Sequence, residues 1–236
     1  NNMKTTAFKL MTLAAVGLPF AAADGTSGDF DMYLLAGSWQ PEFCYNQASY
    51  TGCTDPDPFW SQALTLHGMW PQYDPERSGS EYPFDCSSQY PTDLNHTIVD
   101  DMMDDMNKYW PNVKSVPGDS DYYSFWEHEW SKHGTCSGLS QEAYLTGAID
   151  LLKKQGTPSI ISDNVGKSVS YSDLVAAYGG SSMAAIGCDS SGQFFADVFT
   201  CWNVDPTTYE FSSQRACPSD VLSELSCGDT VTISGF

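Results

Sequence analysis

Three of the four histidines in this 236-residue chain fall in two short segments whose residue types suit proton transfer. The first is Leu64-Thr65-Leu66-His67-Gly68-Met69-Trp70-Pro71. The second is Phe125-Trp126-Glu127-His128-Glu129-Trp130-Ser131-Lys132-His133-Gly134-Thr135-Cys136. On a helix, at ~100° per residue, His128 and Lys132 lie about 40° apart, as do Glu129 and His133. The four side chains thus share a sector of about 140°, aiming one acidic, one cationic and two titratable groups at one place. A plainer reading has a strand-end histidine and an aromatic helix whose Trp126 and Trp130 are core. Four ionisable groups between and beside those tryptophans favour a site. A zinc-protease pair needs histidines four apart on one face, whereas His128 and His133 are five apart, and Lys132 would repel a dication. No metal is expected.

Cleavage of a phosphodiester by an internal 2′-hydroxyl fits this set. One histidine takes the hydroxyl proton, and another across the cleft protonates the leaving oxygen. Lysine and further donors stabilise charge on the phosphate oxygens in the transition state. Histidine suits both roles because its unperturbed pKa of about 6.5 allows either form near working pH. No nucleophile elbow, P-loop or dinucleotide fingerprint competes, and no cofactor is expected.

The elements that must position these groups read as follows. Met32 to Trp39 is strand-like, and Pro41 to Pro58 is a loop broken by Pro56 and Pro58. Ala63 to Trp70 alternates, with Leu64 and Leu66 on one face and Thr65 and His67 on the other, so His67 ends a half-buried strand. Asp74 to Pro91 is a turn-rich loop. Leu94 to Trp110 is helical, and its run of Asp100, Asp101, Asp104 and Asp105 reads as a solvated face rather than a metal site. Phe125 to His133 is a short helix stopped by Gly134. Ser140 caps another through Lys154, ended by Gly156, and Ser172 to Tyr178 is a further short helix. Gln193 to Trp202 and Val231 to Ile233 look like strand. Without regular βαβ alternation, an α+β fold is expected.

Length fits one domain, residues 24–236, since single cores stop growing at about 250–300 residues. Thirty acidic against ten basic residues give a formal charge of −20, which argues against tight, non-specific duplex binding. It does not exclude local handling of a few nucleotides. Residues 1–23 carry Lys4 and Lys9, an apolar run and Ala21-Ala22-Ala23 before Asp24, the pattern of a signal peptide. The run is short for a span of ~20 apolar residues, so no membrane anchor is expected. Its removal would leave eight basic residues against 30 acidic, a charge of −22. Cys44, Cys53, Cys86, Cys136, Cys188, Cys201, Cys217 and Cys227 are even in number and scattered, which points to disulfides in an oxidising compartment. Sequence alone cannot choose among about a hundred pairings. Asn95-His96-Thr97 is an N-glycosylation sequon. A secreted, vacuolar or lysosomal protein is expected.

The two histidine segments resemble the two active-site blocks of the ribonuclease T2 family, acid endoribonucleases that include plant S-ribonucleases. Two such blocks, in order and about sixty residues apart, are very specific. The resemblance extends more weakly to the Met32–Trp39 strand and the cysteine layout. It implies that His133 is the general base, His67 the general acid, and His128, Glu129 and Lys132 the groups that hold the phosphate. It also places Trp70 and Phe125 along a base site, where stacking tolerates any base. Core packing is the alternative for both. Gln72 stands after Trp70-Pro71 where many members carry Asp or Asn, which leaves base preference open. The resemblance further implies the bridges Cys44–Cys53, Cys86–Cys136, Cys188–Cys227 and Cys201–Cys217, and a mainly antiparallel central sheet with helices around it. Single-stranded RNA is the implied substrate, cut through a 2′,3′-cyclic phosphate by a monomer. A catalytically silent secreted relative and a Trp-rich carbohydrate-binding module are the rival readings.

Overall fold

The first histidine segment lies on the edge of a five-stranded sheet. The computed structural model describes residues 24–47 and 49–236. The proposed leader and its cleavage point at Ala23 lie outside the described residues. In chain order the strands are β1 (Asp24–Thr26), β2 (Met32–Ser38), β3 (Thr65–Gln72), β4 (Phe84–Ser87), β5 (Ser168–Ser170), β6 (Ala184–Cys188), β7 (Phe195–Val204), β8 (Phe211–Arg215) and β9 (Thr230–Thr232). The helices are α1 (Gln40–Asn46), α2 (Thr51–Thr54), α3 (His96–Asp101), α4 (Met103–Tyr109), α5 (Ser124–Lys132), α6 (Gln141–Gln155), α7 (Ser159–Ser162), α8 (Tyr171–Ala177) and α9 (Ser219–Glu224).

The main sheet runs β3-β2-β7-β6, with β8 continuing along the β7 edge that β6 leaves, and every pairing in it is antiparallel. β1 and β4, a separate ribbon, pair in parallel. β2 is buried on both faces, and its alternation sorts the core. Tyr33 and Leu35 enter a large cluster with Trp39, Trp110, Trp126, Trp130 and Tyr144, while Met32, Leu34 and Ala36 enter a smaller one with Phe199, Cys201 and Val221. The fold is therefore α+β, with a mainly antiparallel sheet between helices and a small second cluster.

Several local expectations change. The stretch after Pro41 is not a loop, because Pro41 sits in the first turn of α1, where a missing N–H costs nothing. Its second half carries α2 and a 3₁₀ turn from Pro58 to Ser61. The helix expected over Leu94–Trp110 is two helices, parted where Met102 leaves helical geometry (φ −110°, ψ 8°). The four aspartates of that stretch are exposed, with Asp105 2.9 Å from Lys153 Nζ. The loop around Cys86 contains β4, and β6 and β8 form in stretches for which the sequence reading names no element.

All four disulfides form in the pairing implied by the family resemblance. Cys86–Cys136 ties the residues just past α5 to β4, and losing a native bridge of this kind costs about 2–5 kcal/mol. Among the described residues no helix is long and apolar enough to cross a membrane.

Candidate active site

As an edge strand, β3 has one row of backbone groups with no strand partner, and such rows need cover. Here side chains from the helical layer supply it. The Trp110 indole donates to the His67 carbonyl at 2.8 Å, and the Tyr144 hydroxyl donates to the Met69 carbonyl at 2.7 Å. His67 does not end this strand; it is the third of eight residues. The register with β2 pairs Ala36 with Gly68 and Gly37 with Leu66, leaving His67 as the extra residue of a β-bulge. A bulge shifts the two-residue alternation by one. Leu66 and Met69, three apart, therefore both enter the main core, and His67 and Trp70 come to share the opposite face. Their rings meet edge to face at 5.1 Å.

Gly68 makes the next contact possible. A Cβ there would lie 2.1 Å from Trp70 Nε1 and 2.3 Å from Glu129 Oε2. Through that gap Trp70 Nε1 donates to Glu129 Oε2 at 2.7 Å, joining the edge strand to α5. Glu129 Oε1 stands 3.9 Å from His67 Nε2. His133 caps α5, its N–H donating to the Glu129 carbonyl, and its ring stacks on Trp70 at 5.2 Å. Gly134 does not end the helix through a left-handed backbone. It is needed because a Cβ would lie 2.4 Å from the Trp130 ring, which sits between Gly134 and the core. Trp126 and Trp130 are fully buried, donating to the Trp110 and Pro91 carbonyls.

His128 is exposed, with its ring 6.4 Å from that of His133, and Lys132 reaches toward Tyr82, 5.6 Å from the ring centroid. His67, His128, Glu129, Lys132 and His133 are thus brought together around Trp70. Phe125 joins them, 5.8 Å from the His67 ring. Gln72 is buried at the end of β3 and lines neither cavity described below.

The electrostatics follow from desolvation in a cluster of like charge. Burial, then the nearby Lys132, His128 and His67, push His133 down to about 3. Burial, then His128, Lys114 and Lys132, push His67 down to about 4. Burial raises the Glu129 carboxyl to about 8 against the opposing pull of the Trp70 hydrogen bond and Lys132. Both histidines are therefore mostly neutral near pH 5, opposite to the charge expected from the unperturbed value. Glu129 is a neutral acid able to donate.

Two hollows flank His128. One, of about 550 Å³, is lined by Gln40, His67, Lys114, Phe125, His128 and Asp197 among others. The other, of about 620 Å³, lies toward Thr92, His96, Glu127 and Ser131. His96 is distant from both segments in sequence, yet its Nε2 lies 2.7 Å from Glu127 Oε1 on α5. Three neighbours escaped sequence reasoning. Tyr82 lies 5.8 Å from the His133 ring, Phe199 meets Trp70 edge to face at 5.8 Å, and Lys114 stands at the rim of the first hollow. Tyr82 sits on a loop held by Arg77, paired to Asp29 and Asp31, and by Arg215, paired to Asp74. No local pattern marks it. Lys114 was visible only as one of few cations.

Known proteins resemble this chain to different extents. Intracellular ribonuclease LX of Solanum lycopersicum is 34% identical over 131 residues, which is 55% of this chain and 50% of that protein. Ribonuclease 1 of Arabidopsis thaliana is 32% identical over 148 residues, 61% of this chain and 60% of that one. The chain thus spans about half to three-fifths of those two relatives. A ribonuclease of Aeromonas hydrophila is 31% identical over 195 residues, covering 78% of this chain and 77% of its own. Ribonuclease MC1 from bitter gourd seeds shares the fold, with a TM-score of 0.62 and 22% identity over 86% of this chain and all of that one. The Ribonuclease T2 family model matches residues 30–212, which takes in β2, β3, β6 and β7 of the main sheet, the start of β8, and all seven residues gathered around and including Trp70. The chain belongs to the ribonuclease T2 family.

Proposed function

We propose that the protein is an endoribonuclease that cleaves single-stranded RNA in two steps, through a 2′,3′-cyclic phosphate, using its own side chains. One observation carries this reading: His67 and His133 approach Trp70 from different elements, with rings 5.1 and 5.2 Å from it. A base and an acid on opposite sides of a phosphorus need that arrangement. His133, desolvated and neutral, takes the 2′-hydroxyl proton. The 2′-oxygen then bonds to phosphorus and the bond to the 5′-oxygen breaks. His67, in its protonated form, gives a proton to that leaving oxygen. His128, Lys132 and the neutral Glu129 carboxyl face the non-bridging oxygens, where donors fixed in advance stabilise the gathering charge. In the second step His67 takes a proton from water, whose oxygen bonds to phosphorus as the bond to the 2′-oxygen breaks, and His133 gives its proton to that oxygen.

The assignment of roles orients the strand. The base histidine lies against Trp70 and Tyr82, so the nucleoside that supplies the 2′-hydroxyl rests there. The acid histidine opens on the hollow lined by Phe125, so the leaving nucleoside enters it. Trp70 is half-buried against His67, His133 and Phe199, and Phe125 is half-buried beside the hollow, so each packs on one side and can meet a base on another. Gln72 bears on base preference only indirectly, from beneath the Trp70 end of β3.

Four disulfides fit an oxidising compartment, so we place the enzyme outside the cell or in a vacuolar or lysosomal lumen, acting as a monomer. Asn95 is exposed at the N-cap of α3, and we assign it a glycan. Incubating the protein with RNA in EDTA and reading the products on a gel tests the main proposal. Cleavage with a transient cyclic phosphate is expected. Intact RNA across pH 4 to 7 would instead favour a binding protein that has lost its chemistry.

A further inference from the structure

Few of this protein's cations are free to meet a substrate. Among the eight described basic residues, Arg77, Lys153 and Arg215 are paired with carboxylates. Lys154 and Lys167 donate to the carbonyls of Ser212 and Asp163, and Lys108 lies over Phe59 and Tyr109. That leaves Lys132 and Lys114. Lys132 belongs to the α5 cluster already described. Lys114 is exposed, stands at the rim of the Phe125 hollow and has no carboxylate within ion-pairing distance among the described residues. Its only ring contact, with Tyr50, is distant at 6.0 Å.

The backbone that presents Lys114 is held firmly. The buried Asn112 amide donates to Ser115 Oγ and the Tyr122 carbonyl, and its Oδ1 accepts the Lys114 N–H. On the other side the Gly52 N–H donates to the Val113 carbonyl at 3.0 Å. A Cβ at Gly52 would lie 2.8 Å from Val113 Cα. Cys53, next to it, is bridged to Cys44. A side chain on so fixed a mount loses little backbone entropy when it binds.

Position gives the ligand. Lys132 reaches toward Tyr82, which lies beside the His133 ring, while Lys114 lines the hollow on the other side of the site together with His67 and Phe125. With the strand oriented as in the proposed reaction, the leaving nucleoside fills the hollow, and its own 3′-phosphate would emerge at the Lys114 rim. We propose that Lys114 forms a second phosphate subsite, which binds the phosphodiester one nucleotide 3′ of the one that is cut. This rests on the ribonuclease reading above. A protein of such acidity repels RNA at long range, so a local cation beyond the reacting phosphate is where binding energy for a longer strand can be gained.

Three substrates with a single ribonucleotide among deoxynucleotides separate the possibilities. One is a dinucleotide with only the scissile phosphate, one adds a nucleotide on the 3′ side, and one adds a nucleotide on the 5′ side. Lys114→Ala should lower the kcat/KM ratio of the 3′-extended substrate to the dinucleotide by about three- to fivefold, mostly through KM, as an exposed ion pair allows. Any influence of Lys114 on His67 is common to all three substrates and cancels in that ratio. The 5′-extended ratio should not move, Lys114→Arg should restore the first ratio, and the salt dependence on long RNA should lose about 0.7 in logarithmic slope. Unchanged ratios, or an equal change in both, with wild-type protein cleaving every substrate, would overturn the subsite while leaving the ribonuclease reading intact. Wild-type protein that cleaves none of them would overturn both.

Discussion

His67 projects from an edge strand with 46% of its side chain exposed, whereas His133 caps a helix with 5% of its surface exposed and its Nδ1 without a hydrogen-bond partner among the described residues. Both are pushed to low pKa, first by burial and then by neighbouring cations, but the neighbours differ. Lys132 is the leading cation at His133, while His67 feels His128, Lys114 and Lys132. A ring held among Trp70 and Tyr82 stays neutral and oriented, which is what a base needs. A ring half exposed at the cleft can still take a proton from water, and a bound phosphate anion would raise its pKa, which is what the proposed acid needs. In the proposed reaction the same residue type is thus divided between two jobs by where the chain places it.

Removing either ring tests that division most severely. His67→Ala and His133→Ala should each abolish most activity, and the double variant should be scarcely worse, because groups that act as a unit are not additive. The comparison sharpens with a substrate whose leaving group needs no protonation. It should rescue His67→Ala and leave His133→Ala inactive. Rescue in the opposite sense would reverse acid and base.

Gly68 couples the two walls and should have the next largest effect. A methyl group at 2.1 Å from Trp70 Nε1 cannot be accommodated while that nitrogen donates to Glu129. Gly68→Ala should therefore cost about 10²-fold in kcat, the scale on which displaced catalytic geometry acts. Near-UV circular dichroism should register the tryptophan's changed setting while far-UV spectra stay the same. Full activity in this variant would mean that the Trp70–Glu129 bond is dispensable.

Much of this site was legible in the chain and some of it was not, for identifiable reasons. The sector shared by His128, Glu129, Lys132 and His133 follows from helical periodicity, and the structure keeps all four on the cleft side of α5 or its cap. Three of the five strands of the main sheet, β2, β3 and β7, were visible. β2 and β7 read as apolar runs, but β8 carries Ser212, Ser213 and Gln214, and is a strand because the outer end of β7 has backbone groups to pair. His67 was found by type and misplaced by period, since a bulge depends on register with β2 and leaves no trace in β3 alone. Gly68 was the available signal, because a glycine inside a strand often marks a bulge or a close approach, and here it marks both. Tyr82 and Lys114 come from loops whose position is set by Arg77 and Asn112, so only tertiary contacts reveal them.

A subtler contrast lies in pH. kcat/KM should rise as His133 loses its proton near pH 3 and fall as His67 loses its own near pH 4, giving a narrow bell on the acid side. Bound phosphate raises His67, so the falling limb of kcat should lie at higher pH. A maximum above neutrality would break this account. Stability runs on the same groups. Lowered histidines contribute above their unfolded value of about 6.5, and that contribution fades as pH falls through about 4 and 3. Raised Glu129 contributes most below about 4.5 and fades as pH climbs to about 8. Thermal stability should therefore be greatest between these limits, and Glu129→Gln should flatten the alkaline decline. A decline that persists in that variant would assign it to other groups.

The smallest effect is expected at the fourth histidine, which tests whether closeness to α5 alone confers a role. His96 lies 2.7 Å from Glu127 and stacks on Tyr123 at 3.9 Å, so it braces α3 against α5 from the far side of His128. Glu127 points into the second hollow, not toward Trp70, and both members of the pair are nearly half exposed. Solvent screening limits such a pair to about 0–1 kcal/mol, and the stacked ring adds a contribution of similar size. His96→Ala should thus lower the melting temperature by a few degrees at most and change kcat/KM less than twofold. A loss approaching that of His128→Ala would show that α5 needs bracing from both sides to hold its catalytic face. The separation between catalytic and structural histidines drawn from Trp70 outward would then have to be redrawn.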